Sequence, residues 1–459
     1  MKALFLEHIL KAMGETPSEA HENVEIIHVT RELSEAGNNT VYFRVKKGRR
    51  LDGNRLKKHI NFFIVTDEPF SNMEMLSPYQ IIMVKDVFKA FYAFTSYYRH
   101  LFDIPVAAIT GTCGKTSVKE MLKYILNKEM TVQATKSNKN ANCYNLPYLL
   151  GIDENTDAAV FETAIARRGD MMEACRYFFP TIGIFTMIGI DHTDKISTFE
   201  AYITEKAKLM EGLQNSGTLI INSDDKNIMT IDFSGYSGKL ITYGKKESAF
   251  LQIKEIRYEN ECMKYKLSCE NQIYEGTIPG LGEHCVYNAA AAITAAMEMG
   301  VDIQTSISRL ETFTTLKSRF QLIKGKNDMT IIDDTWKSNP ASLESGLKTL
   351  NDLEFPSCRK IAVLGRIAAL GKYADSEYER IGKLAAQFGI DKLITKGSLA
   401  KDLGKAAISA GMKKENVFNS SDPEDILEIF DKWLLPGDIV YFKTGGDDEA
   451  FETFISYLK

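Results

Sequence analysis

Between the apolar run Val106-Ala107-Ala108-Ile109 and a helical pattern of Val118, Met121, Leu122 and Ile125 lies the stretch Gly111-Thr112-Cys113-Gly114-Lys115-Thr116-Ser117. Small residues at this point let successive backbone N–H groups wrap a phosphate. The start of a helix adds partial positive charge. Lys115 has the reach for the outer phosphates of a nucleotide, and the Thr116 hydroxyl is placed to meet Mg²⁺. The usual phosphate loop carries a glycine five residues before the glycine of Gly-Lys-Thr. Ile109 stands there, so this loop is a shorter form.

Three further side chains could do chemistry beside it. Glu162 ends the strand pattern AAVFE, and strand ends of a parallel sheet face the ligand crevice. A carboxylate there suits Mg²⁺, which prefers hard oxygen donors. His192 follows the next strand in IGIDHTD, and Lys206 comes 14 residues later. Taken singly, each has a plainer reading: a solvated strand-end carboxylate, a structural imidazole, a surface-helix cation.

The elements that must position these groups follow from pattern. At roughly 150 residues per domain, 459 residues suggest three domains. Hydrophobic residues at 44% and charged residues at 25% are those of a globular protein. The net charge of −5 offers no basic excess for a nucleic acid. Seven scattered cysteines without a CxxC pair indicate neither a disulfide framework nor a zinc site. The opening MKALFLEHIL lacks the apolar core of a signal peptide, and no run of about 20 apolar residues could span a bilayer. A cytoplasmic protein is expected.

Residues 1–80 mix short strand candidates (24–29, 40–45, 61–65) with a basic turn, KKGRR. Val84, Val87, Phe88, Phe91, Phe94 and Tyr98 predict a helix over 82–102, ended by Pro105. From Val106 strands and helices alternate, which predicts a parallel, doubly wound sheet. Residues 250–278 alternate at period two, as antiparallel strands do, and 288–299 is an Ala-rich helix. A second parallel unit follows, with strands at 329–334, 360–365, 391–397 and 438–446.

The form GTxGKT[ST] after a buried strand resembles the Mur ligase family, ATP-dependent enzymes that join a carboxylate to an amine. Further motifs fit the same family. Glu162-Thr163-Ala164 followed by Gly169-Asp170 is similar to its Glu-x-Gly…Gly-Glu stretch, which implies that Glu162 binds magnesium. His192 and Lys206, with Glu200 in register, look like its His-x13-Lys element. The resemblance implies that His192 meets a second magnesium and that Lys206 is carbamylated; Lys208 is the alternative, and Glu200 favours Lys206. GEHCVYNAAAA (282–292) resembles the family's Gly-x-His-x-x-x-Asn helix start and implies that Asn288 meets the adenine, where a plainer reading makes it a helix cap. Arg319 and Asp334 match positions that hold ribose and phosphates.

Within the family the MurF type is the nearest match. Asp334-Thr335-Trp336-Lys337-Ser338-Asn339-Pro340 is similar to its DSYNANP, VLGRIAALG to its LGDMxELG, and Lys443 falls on its last-strand Lys-Gly-Ser. More faintly, Thr30-Arg31, VYFRVKKG and Asp52-Gly53-Asn54 look like its UDP-sugar-binding opening domain. The implied fold is α/β in three domains. These are a small mixed α/β domain for the acid substrate (1–102), a central phosphate-loop ATPase domain with a mostly parallel sheet (103–314), and a C-terminal Rossmann-like domain (315–459).

The implied activity is amide-bond formation through an acyl phosphate, using ATP and Mg²⁺, as in addition of D-Ala-D-Ala to a UDP-muramyl tripeptide. Catalysis falls to Lys115, Glu162, His192 and Lys206. Thr30, Arg31, Lys337, Asn339 and Lys443 are the substrate candidates. Partners are small molecules, with neither nucleic acid nor membrane, and a monomer is expected.

Several positions depart from the type. Val29 replaces an acid; Trp336 and Lys337 replace Tyr and Asn; Arg366 replaces Asp, and Ala369 replaces Glu. The final motif, Thr444-Gly445-Gly446-Asp447-Asp448, is acidic where a base is usual. Such exchanges would change which charged groups are welcome. A paralogue for another acid and amine therefore stands beside the direct reading. A folate or poly-glutamate ligase and a non-catalytic nucleotide-binding regulator are the remaining alternatives.

Overall fold

The computed structural model of the chain describes residues 1–46, 51–259, 261–352, 358–445 and 448–459. The basic turn KKGRR (mostly) and Gly446-Asp447 of the final motif lie outside the described residues. The chain forms two compact units. The first is Met1–Ala108, Glu129–Phe161 and Met172–Thr181; the second is Ile109–Lys128, Glu162–Met171 and Ile182–Lys459.

In the first unit four parallel strands lie in chain order: His28–Thr30, Thr40–Phe43, Phe62–Thr66 and Ile81–Met83. Phe43, Phe63 and Val65 of this sheet pack on Val87, Phe91 and Phe94 of the helix Val87–Arg99. That helix starts later than periodicity alone predicts. The Asp86 carboxylate accepts from the N–H groups of Phe88 (2.9 Å) and Lys89 (3.0 Å), an N-cap that sets the start. The preceding residues Ile81–Met83 are recruited by the sheet. At the helix end buried Arg99 donates to the carbonyls of Phe178, Phe102 and Ile104, satisfying a helix-end acceptor and two loop acceptors at once.

The second unit holds two sheet systems. In the first, the strands Gln272–Pro279, Cys262–Cys269 and Leu251–Glu259 are antiparallel, as their period-two pattern predicts. Then Lys239–Gly244, Thr218–Asn222 and Ile182–Phe185 continue in parallel, with Ile182 opposite Thr218 and Leu219 opposite Leu240. Thr186 N–H donates to the Thr110 carbonyl (3.0 Å), tying this sheet to the end of the strand Val106–Thr110 that feeds the phosphate loop.

The second system has the order Gln321–Lys324, Thr330–Asp333, Ile439–Lys443, Lys360–Leu364, Lys392–Lys396, Val417–Ser420. All pairings are parallel except the first. One face packs on Leu343, Leu347, Tyr378 and Ile381, the other on Ile426, Phe430, Phe451 and Phe454. The last strand of the chain is inserted between Thr330–Asp333 and Lys360–Leu364. The loops after Asp333, Leu364 and Lys443 therefore leave from one edge, the carboxyl edge where open parallel sheets bind ligands.

Among the described residues no helix is long and apolar enough to cross a membrane.

Candidate active site

The strand Val106–Thr110 is fully buried and ends at Gly111. The loop that follows leads directly into the helix Lys115–Leu126. Two glycines are required by space. A side chain on Gly111 would fall 1.9 Å from Thr186 Oγ1, and one on Gly114 would fall 2.5 Å from Asn288 Oδ1. Gly114 also has φ +85°, which L side chains avoid.

The loop is pinned from below. Thr112 N–H donates to the Met187 carbonyl (2.7 Å), the Thr112 hydroxyl to Gly189 O (3.0 Å), and the Thr186 hydroxyl to Cys113 O (2.5 Å). Cys113 Sγ lies 3.1 Å from Asn339 Oδ1. Ser117 lies in the first turn of the helix, half-buried.

Lys115 folds back onto its own loop, its ammonium 2.8 Å from Gly111 O and 3.2 Å from Thr112 O. Lys206, in the helix Phe199–Ala207, is buried and reaches the same Gly111 carbonyl at 3.0 Å. Two amines thus share one acceptor. Burial, then the charge of Lys337, lowers the Lys115 pKa from 10.5 to about 8. Burial, then Lys115, drives that of Lys206 well below its ordinary value. Lys208, the alternative, is more exposed and pairs with Glu205 at 2.7 Å.

The Thr116 hydroxyl is 3.2 Å from Glu162 Oε2. Lys119, one helical turn on and buried, stands 3.7 Å from Glu162 Oε1 and also bonds Glu120. Sequence reading missed Lys119; its only signal is that positions 116, 119 and 120 share a helix face.

His192 has φ +54°, unusual for a non-glycine residue. Burial lowers its pKa, against the pull of Asp191. Asp191, also missed, is 2% exposed and accepts from Lys337 Nζ at 2.9 Å. Lys337, mainly, holds its carboxyl below the ordinary range against burial.

Lys337 belongs to the loop after Thr330–Asp333. Arg319 sits 5.5 Å from the ring centroid of Trp336 in the same loop. Burial lowers its pKa, and Glu162 and Asp334 oppose that shift. Asp334 Oδ2 accepts from Lys443 Nζ (2.6 Å) and from the Tyr441 hydroxyl (3.1 Å), so these two site candidates face each other. Ala369 and Leu370 of the VLGRIAALG stretch dock on the loop of His192: Thr193 N–H donates to Ala369 O (3.1 Å) and its hydroxyl to Leu370 O (2.6 Å).

Residues 111–117, Glu162, His192, Lys206, Asn288, Arg319, Asp334, Lys337, Asn339 and Lys443 all belong to the second unit. Thr30 and Arg31 belong to the first. There the buried Thr30 hydroxyl is used within its own turn, donating to Glu35 Oε2 (2.5 Å) and accepting from Glu32 N–H (2.9 Å). The Arg31 guanidinium lies against the rings of Phe91 (5.1 Å) and Tyr177 (5.5 Å).

Among the described residues no cluster of three or more His, Cys, Asp or Glu could hold a metal ion. The Thr116 hydroxyl and Glu162 carboxylate nevertheless form a hard-oxygen pair of the kind that fits Mg²⁺, which keeps waters and takes phosphate oxygens as well.

The Mur ligase middle domain matches residues 109–296, and the Mur ligase, glutamate ligase domain matches residues 318–446. The UDP-N-acetylmuramoyl-tripeptide--D-alanyl-D-alanine ligase of Bacillus subtilis (strain 168) is 27% identical over 365 residues, covering 79% of this chain and 78% of that protein. The like-named ligase of Synechocystis is 28% identical over 384 residues, covering 83% and 80%. MurF from Acinetobacter baumannii superposes with a TM-score of 0.82 at 20% identity, covering 99% of this chain and 98% of the other. MurF ligase from Thermotoga maritima, in complex with ADP, gives 0.77 at 20%, covering 94% and 96%. The structural likeness bears out the expected three-domain α/β architecture.

Proposed function

The chain belongs to the Mur ligase family through its middle and C-terminal domains, and we propose that it is an ATP-dependent amide ligase of the MurF type. The reaction joins D-Ala-D-Ala to a UDP-muramyl tripeptide. The observation that carries this reading is the meeting of two loops. The phosphate loop with Lys115 and Lys206 is covered by the loop 334–339, through Cys113–Asn339 and Asp191–Lys337. On this reading residues 1–102 receive the acid, 103–314 bind ATP and 315–459 bring the amine.

A carboxylate resists amines because its carbonyl carbon is electron-rich. Its oxygen attacks the γ-phosphorus of ATP. The bond from that phosphorus to the bridging oxygen breaks, and its electron pair leaves with ADP. The resulting acyl phosphate has a good leaving group. The amine attacks its carbonyl carbon, a tetrahedral intermediate forms, and phosphate leaves as the amide forms.

Loop N–H groups and Lys115 stabilise charge on the transferred group. Asn288, against Gly114, holds the base; Arg319 and Asp334 hold ribose and phosphate. Thr116 and Glu162 would hold one Mg²⁺, and His192 with Lys206 a second, supplying charge neutralisation for the phosphates. Lys206, whose burial lowers its proton affinity, is suited to take up CO₂ as a carbamate, as the resemblance implies. The covering loop keeps water from the acyl phosphate.

A second reading, a paralogue for another acid and amine, is favoured by Trp336, Lys337 and exposed Arg366 at the covering edge. The test is phosphate release from Mg·ATP and UDP-muramyl tripeptide, with and without D-Ala-D-Ala. Release that needs both partners, with the amide mass, supports the first reading. ATP binding without release refutes it and turns the search to other acids and amines.

A further inference from the structure

Lys337 is not explained by nucleotide binding at the phosphate loop, because it comes from the opposite side of the site. Its backbone is fixed on both flanks. Asp333 Oδ1 accepts from Thr335 N–H (3.1 Å) and hydroxyl (2.7 Å), while Asp333 Oδ2 takes the Ser318 hydroxyl (2.8 Å). Trp336 N–H donates to Ser318 O (3.1 Å). Beyond Lys337, Asn339 Oδ1 accepts from Ser342 N–H (2.9 Å) and meets Cys113 Sγ of the phosphate loop. The side chain is therefore presented by a rigid loop that touches the nucleotide loop itself.

Its ammonium has three donors. One meets Asp191 Oδ2 at 2.9 Å. Asp191 is held in turn, its Oδ1 accepting from His192 N–H at 3.0 Å. The side chain of Lys337 is 45% exposed against 3% for Asp191, so its other donors open toward solvent space at the rim of the site. Its charge is felt by Lys115, His192 and Lys206, which places the ammonium within electrostatic reach of all three.

The geometry points to Lys337 as a catalytic residue that the C-terminal domain supplies to the transferred phosphoryl group, with Asp191 as its positioning residue. This rests on the ligase reading above. As the carboxylate oxygen bonds to the γ-phosphorus and the bond to the ADP oxygen breaks, negative charge spreads over the three equatorial oxygens. Lys115 approaches them from the phosphate loop and Lys337 from the facing loop. No proton is transferred by Lys337; its N–H groups donate hydrogen bonds that are strongest in the transition state. Asp191 fixes one donor and so aims the other two.

The experiment compares wild type with Lys337→Asn, Lys337→Arg and Asp191→Asn. Phosphate release is followed with Mg·ATP, UDP-muramyl tripeptide and D-Ala-D-Ala, and Mg·ADP affinity is measured separately. The expected result for Lys337→Asn is a fall in kcat of about 100-fold, with the ATP KM and Mg·ADP affinity within about threefold of wild type. Lys337→Arg recovers about tenfold, and Asp191→Asn loses less than Lys337→Asn. A Lys337→Asn kcat within threefold of wild type overturns the assignment. So does a parallel loss of Mg·ADP affinity, which a merely structural or ground-state role gives.

If the wild type releases no phosphate from these substrates, the ligase substrates are wrong, and the assignment is read from nucleotide alone. Lys337→Asn should then weaken binding of ADP with aluminium fluoride at least tenfold more than binding of ADP. Equal effects on both overturn it.

Discussion

Replacing Lys115 by Met should make the nucleotide-free protein more stable while abolishing turnover. Burial, reinforced by Lys337, lowers the Lys115 pKa from 10.5 to about 8. At neutral pH the folded protein therefore carries a protonated amine that the unfolded chain solvates better. The difference of 2.5 pH units corresponds to about 3 kcal/mol. Against this stand two hydrogen bonds, to Gly111 O and Thr112 O, that Met cannot make. At roughly 1 kcal/mol or less each, they leave a net stabilisation of about 1–2 kcal/mol.

The sign with pH follows. Below pH 8 the penalty is present in full. From 8 toward 10.5 the unfolded chain binds more protons than the folded one, so wild-type stability climbs relative to Lys115→Met and the gap closes. Thermal melts without nucleotide at pH 7 and pH 9.5 would read this as an apparent Tm raised by about 1–3 °C at pH 7, with a smaller difference at pH 9.5. Mg·ATP should raise the wild-type Tm and leave that of the variant nearly unchanged. A variant that melts at or below the wild-type temperature at pH 7 would refute the reasoning. It would mean that the lysine is a net structural asset rather than a strained functional one.

Three other outcomes are expected. Gly114→Ala, which forces a side chain to within 2.5 Å of Asn288 Oδ1 at φ +85°, should cut Mg·ATP affinity at least tenfold by calorimetry and leave the first unit folded. Asp86→Ala removes the cap of the helix Val87–Arg99 and should cost about 1 kcal/mol in denaturant unfolding. Tyr98→Phe removes a hydroxyl that accepts from Lys2 N–H (2.9 Å) and donates to Ile152 O (2.8 Å), and should cost about 1–3 kcal/mol with kcat nearly unchanged.

The phosphate loop was legible because its chemistry is local. Gly111, Gly114, Lys115 and Thr116 are recognised by their spacing along seven residues, between a strand and a helix that hydrophobic pattern alone reveals. The antiparallel strands at 251–279 were legible for the same reason, since period two is written in consecutive residues. Glu162, His192 and Lys206 became site candidates only through the family resemblance. Nothing within their own neighbourhoods separates them from a strand-end acid, a structural histidine and a surface lysine. The helix start at Val87 was misjudged because Val84 continues the apolar spacing, while the Asp86 cap and the pairing of Ile81–Met83 decide where the helix begins.

By itself, then, the sequence determined the strand–loop–helix unit that can hold a triphosphate, and the alternation that makes parallel sheets. Those depend on interactions between near neighbours. Only the tertiary structure decided that Lys206 and Lys115 share the Gly111 carbonyl, that Lys119 stands beside Glu162, and that Asp191 meets Lys337 146 residues away. Charge and proton affinity at such a site depend on burial and on what lies across from each group. Those distances are set when the loops at the sheet edges are brought together, not by the order of residues along the chain.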